Sequence, residues 1–169
     1  MSEQPQVSPA NDPAAGFKAA FRRHASGVAV VTAVHLSRPV GFTATSVVSL
    51  SADPPMLSFN LSLGASTWPA LSSTSHVAVH LLGGAQVELA ARFATSGIDR
   101  FAGTPWRVGP GGVPLLEGVN AWLVARVQQR IPTGDHALFV CRVVHTGTAA
   151  PADPLVYHEG RFCTLPVEG

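Results

Sequence analysis

The chain has 169 residues, a length that fits one domain with a full apolar core. Hydrophobic residues make up 46% and charged residues only 12%, against a usual charged share of about 25%, so we expect part of the apolar excess to cover a partner subunit. The net charge of +1 gives no electrostatic case for nucleic acid or an anionic membrane, and no apolar run reaches the roughly 18 residues of a membrane span.

The N-terminal segment, residues 1–12, is polar and contains prolines, and it lacks the apolar core of a signal peptide. We therefore expect a disordered tail, a single domain over residues 13–169 and a cytoplasmic location. The two cysteines, Cys141 and Cys163, lie far apart and form no CxxC pair, which favours reduced thiols.

Helix and strand signals follow in an irregular order. Asp12 and Pro13 predict a helix start, and Gly27 predicts its end. Short helices are predicted from Ser66 to Ser73 and over residues 86–95, and a glycine-rich loop is predicted over residues 109–112. Seven or eight strands are predicted, at residues 28–35, 40–45, 56–62, 76–82, 121–131, 136–148, 155–158 and 161–165.

The strands are spaced as hairpins and do not alternate regularly with helices. This pattern disfavours a doubly wound parallel sheet. We expect a mainly β protein, folded as a closed antiparallel barrel with a few peripheral helices, because closure removes exposed sheet edges.

The most informative stretch, residues 41–57, predicts two extended segments joined at Pro54-Pro55. Its first half carries small hydroxylated side chains where a strand usually carries bulk: Thr43, Thr45, Ser46 and Ser49. Small residues let a flat ligand lie against the backbone, where N–H groups and hydroxyls can bond its polar atoms. An ordinary threonine-rich edge strand is the alternative interpretation.

A second candidate site is Ser66-Thr67, directly before a predicted helix start. Hydroxyls and free N–H groups at a helix N-terminus suit a phosphate, although the same pair can serve only as a cap. Other nucleotide and catalytic motifs are missing from the sequence. It has no GxGxxG between a strand and a helix, no P-loop lysine, no HExxH or paired Cys/His ligands, and no GxSxG elbow.

Six segments in order make the chain resemble the flavin reductase family, in which reduced nicotinamide passes hydride to FMN or FAD. The resemblance covers about residues 17–165. It rests on Ser-Gly-Val-Ala-Val-Val-Thr at 26–32, the 41–57 stretch, Ser-Thr-Trp at 66–68, Asp-Arg-Phe at 99–101, Gly-Asp-His at 134–136 and Tyr-His-Glu-Gly-Arg-Phe at 157–162. It implies the FMN-binding split barrel, usually a homodimer with flavin sites at the subunit interface.

The resemblance also implies roles for individual residues. The flavin ring would be held by Thr43, Ala44, Thr45 and Ser46, with Ser49 nearby, and the ribityl phosphate by Ser66 and Thr67. Near the phosphate or the nicotinamide would lie Arg92, Arg100 and Phe101. Tyr157 would pack near the ring, and His136 would orient the nicotinamide or stabilise the reduced ring. A solvated role for Arg92 and a simple hairpin-turn role for His136 are the alternatives.

The function implied is an NAD(P)H:flavin oxidoreductase that supplies reduced FMN or FAD to a partner monooxygenase. No arginine cluster for a 2′-phosphate is evident, which favours NADH over NADPH. Residues 63–65 are Leu-Gly-Ala where the family often carries Asn or Arg, which predicts weak flavin binding and a diffusible flavin. Two alternatives remain: an FMN-binding electron-transfer protein without nicotinamide turnover, and a barrel that binds no flavin.

Overall fold

The computed structural model describes residues 12–149 and 151–166. Its helices are α1 (Pro13–Arg22), α2 (Trp68–Leu71) and α3 (Val87–Ala94). Its strands are β1 (Ser26–Gly27), β2 (Ala29–His35), β3 (Arg38–Ala44), β4 (Val48–Ala52), β5 (Pro55–Ser62), β6 (His76–Leu81), β7 (Trp106–Val108), β8 (Pro114–Leu116), β9 (Ala121–Thr133), β10 (His136–Thr148), β11 (Leu155–His158) and β12 (Arg161–Thr164). The predicted tail lies outside the described residues except for Asp12.

Asp12 caps α1, since its carboxylate accepts the N–H of Ala14 at 3.0 Å, and Pro13 is the first helical residue as predicted. The predicted end at Gly27 is wrong. The helix stops at Arg22, because Ser26 and Gly27 instead pair with Tyr157 and Val156 of β11.

Seven strands form one antiparallel sheet in the order β3-β2-β6-β9-β10-β5-β4, which confirms a mainly β fold with peripheral helices. The predicted hairpins are present. Leu36 and Ser37, both with positive φ, turn β2 into β3, and Gly134, with φ of 64°, turns β9 into β10. β11 and β12 form the last hairpin, around Glu159 and Gly160.

The predicted closure of the barrel is wrong. β3 and β4 are the two ends of the seven-stranded sheet, and no ladder joins them within the described part of the chain. Only residues 45–47 separate these strands, so the sheet must curl until its two ends approach at this corner. There Ser46 Oγ accepts the N–H of Asn60 in β5 at 2.9 Å, a side-chain contact where closure would need a backbone ladder.

The inner face of the curl holds the main core. Phe59 stacks on Phe139 with ring centroids 4.8 Å apart, and Phe42 from the opposite end of the sheet lies 6.1 Å from Phe59. Ala70 and Leu71 of α2 are buried in the same cluster. A second cluster packs α3 against the outside of the sheet through Ala90 and Phe93.

The short β7–β8 hairpin was not predicted from the sequence. Two side chains of the main sheet anchor it: Thr32 Oγ1 donates to the carbonyl of Pro114 at 2.6 Å, and His80 Nε2 accepts the N–H of Leu116 at 3.0 Å. Among the described helices, none combines the length and apolar character needed to cross a bilayer. The described residues also contain no cluster of three or more His, Cys, Asp or Glu side chains suited to a metal.

Candidate active site

A cavity of about 450 Å³ lies between the end of β3, the β5–α2 connection, α3 and the start of β10. Its polar lining consists of Thr43, Thr45, Ser46, Asn60, Ser62, Ser66, Thr67, Ser96, Arg100 and His136. A smaller cavity of about 180 Å³ shares Ser66, Thr67 and Arg100 with it. The structure therefore brings together segments that are nearly a hundred residues apart in sequence.

Two hydroxyls at the end of β3 have defined hydrogen-bonding roles. Thr43 Oγ1 donates to the carbonyl of Ala90 in α3 at 2.6 Å, so its lone pairs remain to accept a bond. Ser46 Oγ already accepts the N–H of Asn60, so its proton remains to be donated. This edge of the cavity thus offers both an acceptor and a donor, which suits a ring that carries N–H and C=O groups.

Thr67 also borders the cavity. The residue is only 6% exposed, and its Oγ1 is the one buried side-chain oxygen or nitrogen in residues 12–149 and 151–166 that lacks a hydrogen-bond partner. A buried polar atom left unpaired costs about 1–3 kcal/mol. A ligand oxygen placed here would remove that cost, so the position suits a polar or anionic group.

Arg100 borders the same two cavities as Thr67 and is held by two backbone carbonyls. Its Nε donates to Thr95 at 2.9 Å and its Nη1 donates to Gly41 at 2.7 Å. Partial burial lowers the pKa of Arg100, but a guanidinium remains protonated at neutral pH. Arg100 borders both cavities and keeps N–H donors beyond these two bonds, so it brings a fixed positive charge to the place where the cavities meet.

His136 occupies the first position of β10, directly opposite Ser62 of β5. Its Nδ1 lies 2.7 Å from Asp135 Oδ1, and this hydrogen bond lowers the pKa of the Asp135 carboxyl. An ionised carboxylate can only accept, so Nδ1 carries the proton and Nε2 is left for a ligand. The imidazole side chain is 44% exposed and borders the larger cavity, where it can meet a second reactant.

Four of the predicted site residues line neither the larger nor the smaller cavity. The methyl of Ala44 is buried in the main core, and Ser49 on β4 borders a separate apolar cavity of about 360 Å³. Arg92 Nη1 donates to the carbonyl of Asp99 at 3.2 Å and does not line the cavity. Tyr157 packs against Phe162 of the last hairpin, beside α1.

Phe101 is part of the apolar lining of the smaller cavity. It is buried and packs edge-on against Phe93 of α3, with ring centroids 5.1 Å apart. Asp99 stabilises this loop by accepting the N–H groups of Phe101 and Ala102. In the Asp-Arg-Phe segment, Asp99 therefore stabilises the loop, Arg100 supplies a cation and Phe101 supplies an apolar lining.

Sequence reasoning missed Asn60, Ser62 and Ser96 among the polar lining. Asn60 did carry a signal, because it is an exposed polar residue between the buried Phe59 and Leu61 of β5. Ser96 follows α3 in an ordinary polar connection and carried no signal.

The sequence matches the family described as flavin reductase like domain over residues 21–166. A Rhodococcus erythropolis protein named NADH:FMN oxidoreductase is 44% identical over 154 residues, covering 88% of this chain and 80% of the relative. A Rhodococcus opacus protein, the reductase component of a 4-nitrophenol 4-monooxygenase/4-nitrocatechol 2-monooxygenase, is 37% identical over 148 residues, covering 88% of this chain and 79% of the relative.

Solved structures show the same relationship. The crystal structure of a flavin reductase domain protein from Arthrobacter sp. FB24 matches with a TM-score of 0.87 and 43% identity, covering 92% of this chain and 98% of that chain. The resemblance predicted from the sequence is confirmed by these matches. The chain belongs to the flavin reductase like domain family.

Proposed function

We propose that this chain is an NADH-dependent flavin reductase that reduces FMN and releases it to a separate monooxygenase. Family membership supports the reaction class, and the name of the Rhodococcus erythropolis relative supports the pair NADH and FMN. The Rhodococcus opacus relative, a reductase component, supports delivery of reduced flavin to an oxygenase.

The observation that carries the proposal is the set of polar groups that lines the larger cavity. Thr43 and Ser46 offer an acceptor and a donor, which suit the N–H and carbonyl groups of an isoalloxazine ring. Thr67 and Arg100 offer an unpaired hydroxyl and a cation, which suit a phosphate. FMN carries both kinds of group.

Bound flavin supplies the redox chemistry by accepting a hydride from reduced nicotinamide. The protein contributes position, because hydride transfer needs no proton donor and depends on close stacking of the two rings. His136 is assigned the nicotinamide side of the site. Asp135 holds the orientation of the imidazole through Nδ1, and the free Nε2 of His136 can accept the N–H of a nicotinamide carboxamide.

The test is steady-state oxidation of NADH and NADPH by the purified full chain with FMN, FAD, riboflavin or no flavin added. We expect turnover with NADH that saturates with FMN, and weaker saturation with riboflavin because it lacks the phosphate. NADH oxidation absent with every flavin, in a protein that nevertheless binds FMN, would overturn the reductase in favour of a flavin carrier. A protein that neither oxidises NADH nor binds FMN would overturn both the reductase and the flavin carrier.

The proposed assembly is a homodimer. Val48, Leu50 and Leu81 are 54%, 50% and 40% exposed. Leu81 borders the apolar cavity of about 360 Å³, and Val48 and Leu50 lie on β4, whose Ser49 and Ser51 border it. Exposed large apolar side chains near an apolar cavity favour burial against another subunit. Such a dimer would also cover Ser49, which borders that cavity. The proposed location is the cytoplasm, where NADH is available.

A further inference from the structure

We propose that Arg130 is a positioning residue: it fixes α2 so that the Thr67 hydroxyl meets the flavin phosphate. This inference rests on the proposed function, because it takes the phosphate as the group that Thr67 binds. Arg130 lies on β9 and does not line the cavity, so it acts through the helix.

Arg130 belongs to a row of side chains that crosses three strands. It lies directly opposite Phe139 of β10, which lies directly opposite Phe59 of β5. The guanidinium carbon of Arg130 is 5.5 Å from the centroid of the Phe139 ring, and that ring stacks on Phe59. The guanidinium therefore lies over an aromatic ring, and this cation–π contact restricts its movement.

The same guanidinium holds the C-terminal end of α2. Its Nε donates to the carbonyl of Leu71 at 2.9 Å, and its Nη2 donates to the carbonyl of Thr74. The N-terminal residue of the helix, Trp68, packs edge-on against Phe139 at 6.3 Å. Both ends of α2 are thus attached to the row formed by Arg130 and Phe139.

A short hydrogen-bonded path connects Arg130 to the cavity. Leu71, whose carbonyl accepts from Arg130, donates its N–H to the carbonyl of Thr67 at 3.0 Å. Thr67 in turn borders the cavity, and its hydroxyl is buried there without a partner. A shift of Leu71 therefore moves Thr67 directly, because one backbone hydrogen bond joins the two residues.

The helix needs this external support because it has only four residues. A helix of that length is not stable by its own hydrogen bonds, and Thr67 makes no side-chain capping bond to help it. Release of the Leu71 and Thr74 carbonyls would let the turn relax, and the hydroxyl would lose its fixed place opposite the phosphate.

The experiment compares FMN with riboflavin, which is the same ring without the phosphate. Arg130→Met keeps an unbranched side chain over Phe139 but removes both donors. We expect the KM for FMN to rise about tenfold, a typical loss for one hydrogen bond to a charged group, with kcat at saturation and the KM for riboflavin unchanged. Arg130→Lys keeps the charge but cannot span two carbonyls, so a smaller rise in the FMN KM is expected.

Thr67→Val and the double variant Arg130→Met/Thr67→Val complete a double-mutant cycle. Since Arg130 acts through Thr67, its replacement should add nothing once the hydroxyl is gone. Arg126→Met, an exposed arginine on the same strand, is the matched control and should leave all constants unchanged.

Several outcomes overturn the inference. If the KM values for FMN and riboflavin change by the same factor, Arg130 has a general structural role. Additive effects of the two substitutions in the double variant would show the same. If Arg130→Met does not fold, the Arg130→Lys constants decide, and an unchanged ratio of FMN to riboflavin KM refutes the proposal. If the unmodified protein turns over no flavin, the proposed function fails. The ratio of FMN to riboflavin dissociation constants, measured by fluorescence, then tests Arg130 separately.

Discussion

Arg100 reaches across the chain to Gly41, donating a hydrogen bond of 2.7 Å to its carbonyl oxygen. Gly41 allows this contact because α3 packs directly on the strand there. A Cβ at this position would lie 2.8 Å from Cε1 of Phe93 and 3.0 Å from the carbonyl oxygen of Val31. The absence of a side chain on β3 thus brings α3 and the Arg100 loop against the cavity, and it places the cation that we assign to the phosphate.

Replacement of Arg100 should weaken FMN binding selectively. We expect Arg100→Ala to raise the KM for FMN by roughly 10–100-fold, as for loss of a charge-assisted hydrogen bond, and to change the KM for riboflavin much less. Arg92→Ala is the matched control, because Arg92 donates only to the Asp99 carbonyl and does not line the cavity. Equal losses in both variants would contradict the assignment.

Thr67 should show a conflict between stability and binding. Thr67→Val removes a buried hydroxyl that has no partner, so we expect the flavin-free protein to gain about 1 kcal/mol in free energy of unfolding while FMN binds more weakly. Urea unfolding without flavin and fluorescence titration with FMN measure the two effects.

Thr32→Val is the control for that experiment. Thr32 is also a buried threonine, but its hydroxyl donates to Pro114 at 2.6 Å, so its removal should destabilise the protein by about 1–3 kcal/mol. Destabilisation by Thr67→Val as well would show that the hydroxyl is satisfied in solution without ligand.

Much of the sheet could be predicted because strand and turn signals are local. The β2–β3, β9–β10 and β11–β12 hairpins were each marked by a turn between two predicted strands, and all are present. Closure was not predictable, because it depends on whether β3 and β4 meet along their length, which no local pattern decides. The β7–β8 hairpin was missed because each strand has three residues and its anchors, Thr32 and His80, lie far away in sequence.

The site was predictable only in part, for a similar reason. Thr43 and Ala44 were assigned together, but consecutive residues of a strand point to opposite faces, so Thr43 borders the cavity and Ala44 enters the core. The motif around Tyr157 was recognisable, but the sequence could not place its hairpin beside α1. The role of Arg130 had no sequence signal, because it depends on which carbonyls the end of α2 presents to β9.

His136 should affect the nicotinamide step more than flavin binding. We expect His136→Ala to lower kcat/KM for NADH about tenfold while the FMN dissociation constant changes less than about twofold. Asp135→Asn should give a smaller loss, because it weakens the orientation of the ring without removing it. His145→Ala, exposed on the same strand, is the control. A loss of FMN affinity equal to the loss in kcat/KM would place His136 on the flavin instead.

The proposed dimer can be tested with a charge on its apolar surface. Leu50→Glu should lower the molar mass measured by light scattering from that of a dimer to that of a monomer, because a carboxylate is costly to bury in an apolar contact. Leu36→Asp is the control: Leu36 is 84% exposed in the β2–β3 turn, and aspartate tolerates its positive φ. A monomeric unmodified protein would refute the dimer outright.

His80 should make stability depend on pH in the acidic range. The side chain is fully buried, with Nδ1 3.0 Å from the Val30 carbonyl and Nε2 accepting from Leu116, and burial lowers its pKa from 6.5 to about 4. Between these values the unfolded chain binds a proton that the folded protein does not. Stability is therefore complete above pH 6.5 and decreases as pH falls toward 4.

This linkage predicts a loss of about 2 kcal/mol between pH 7 and pH 5 from His80 alone. His80→Leu should be less stable at pH 7, since Val30 and Leu116 lose their partner. Between pH 7 and pH 5, however, its free energy of unfolding should fall by about 2 kcal/mol less than that of the unmodified protein. Urea unfolding of both proteins at the two pH values measures the difference. Parallel losses in both proteins would mean that His80 does not carry the pH dependence, and that protonation of other groups destabilises the fold in acid.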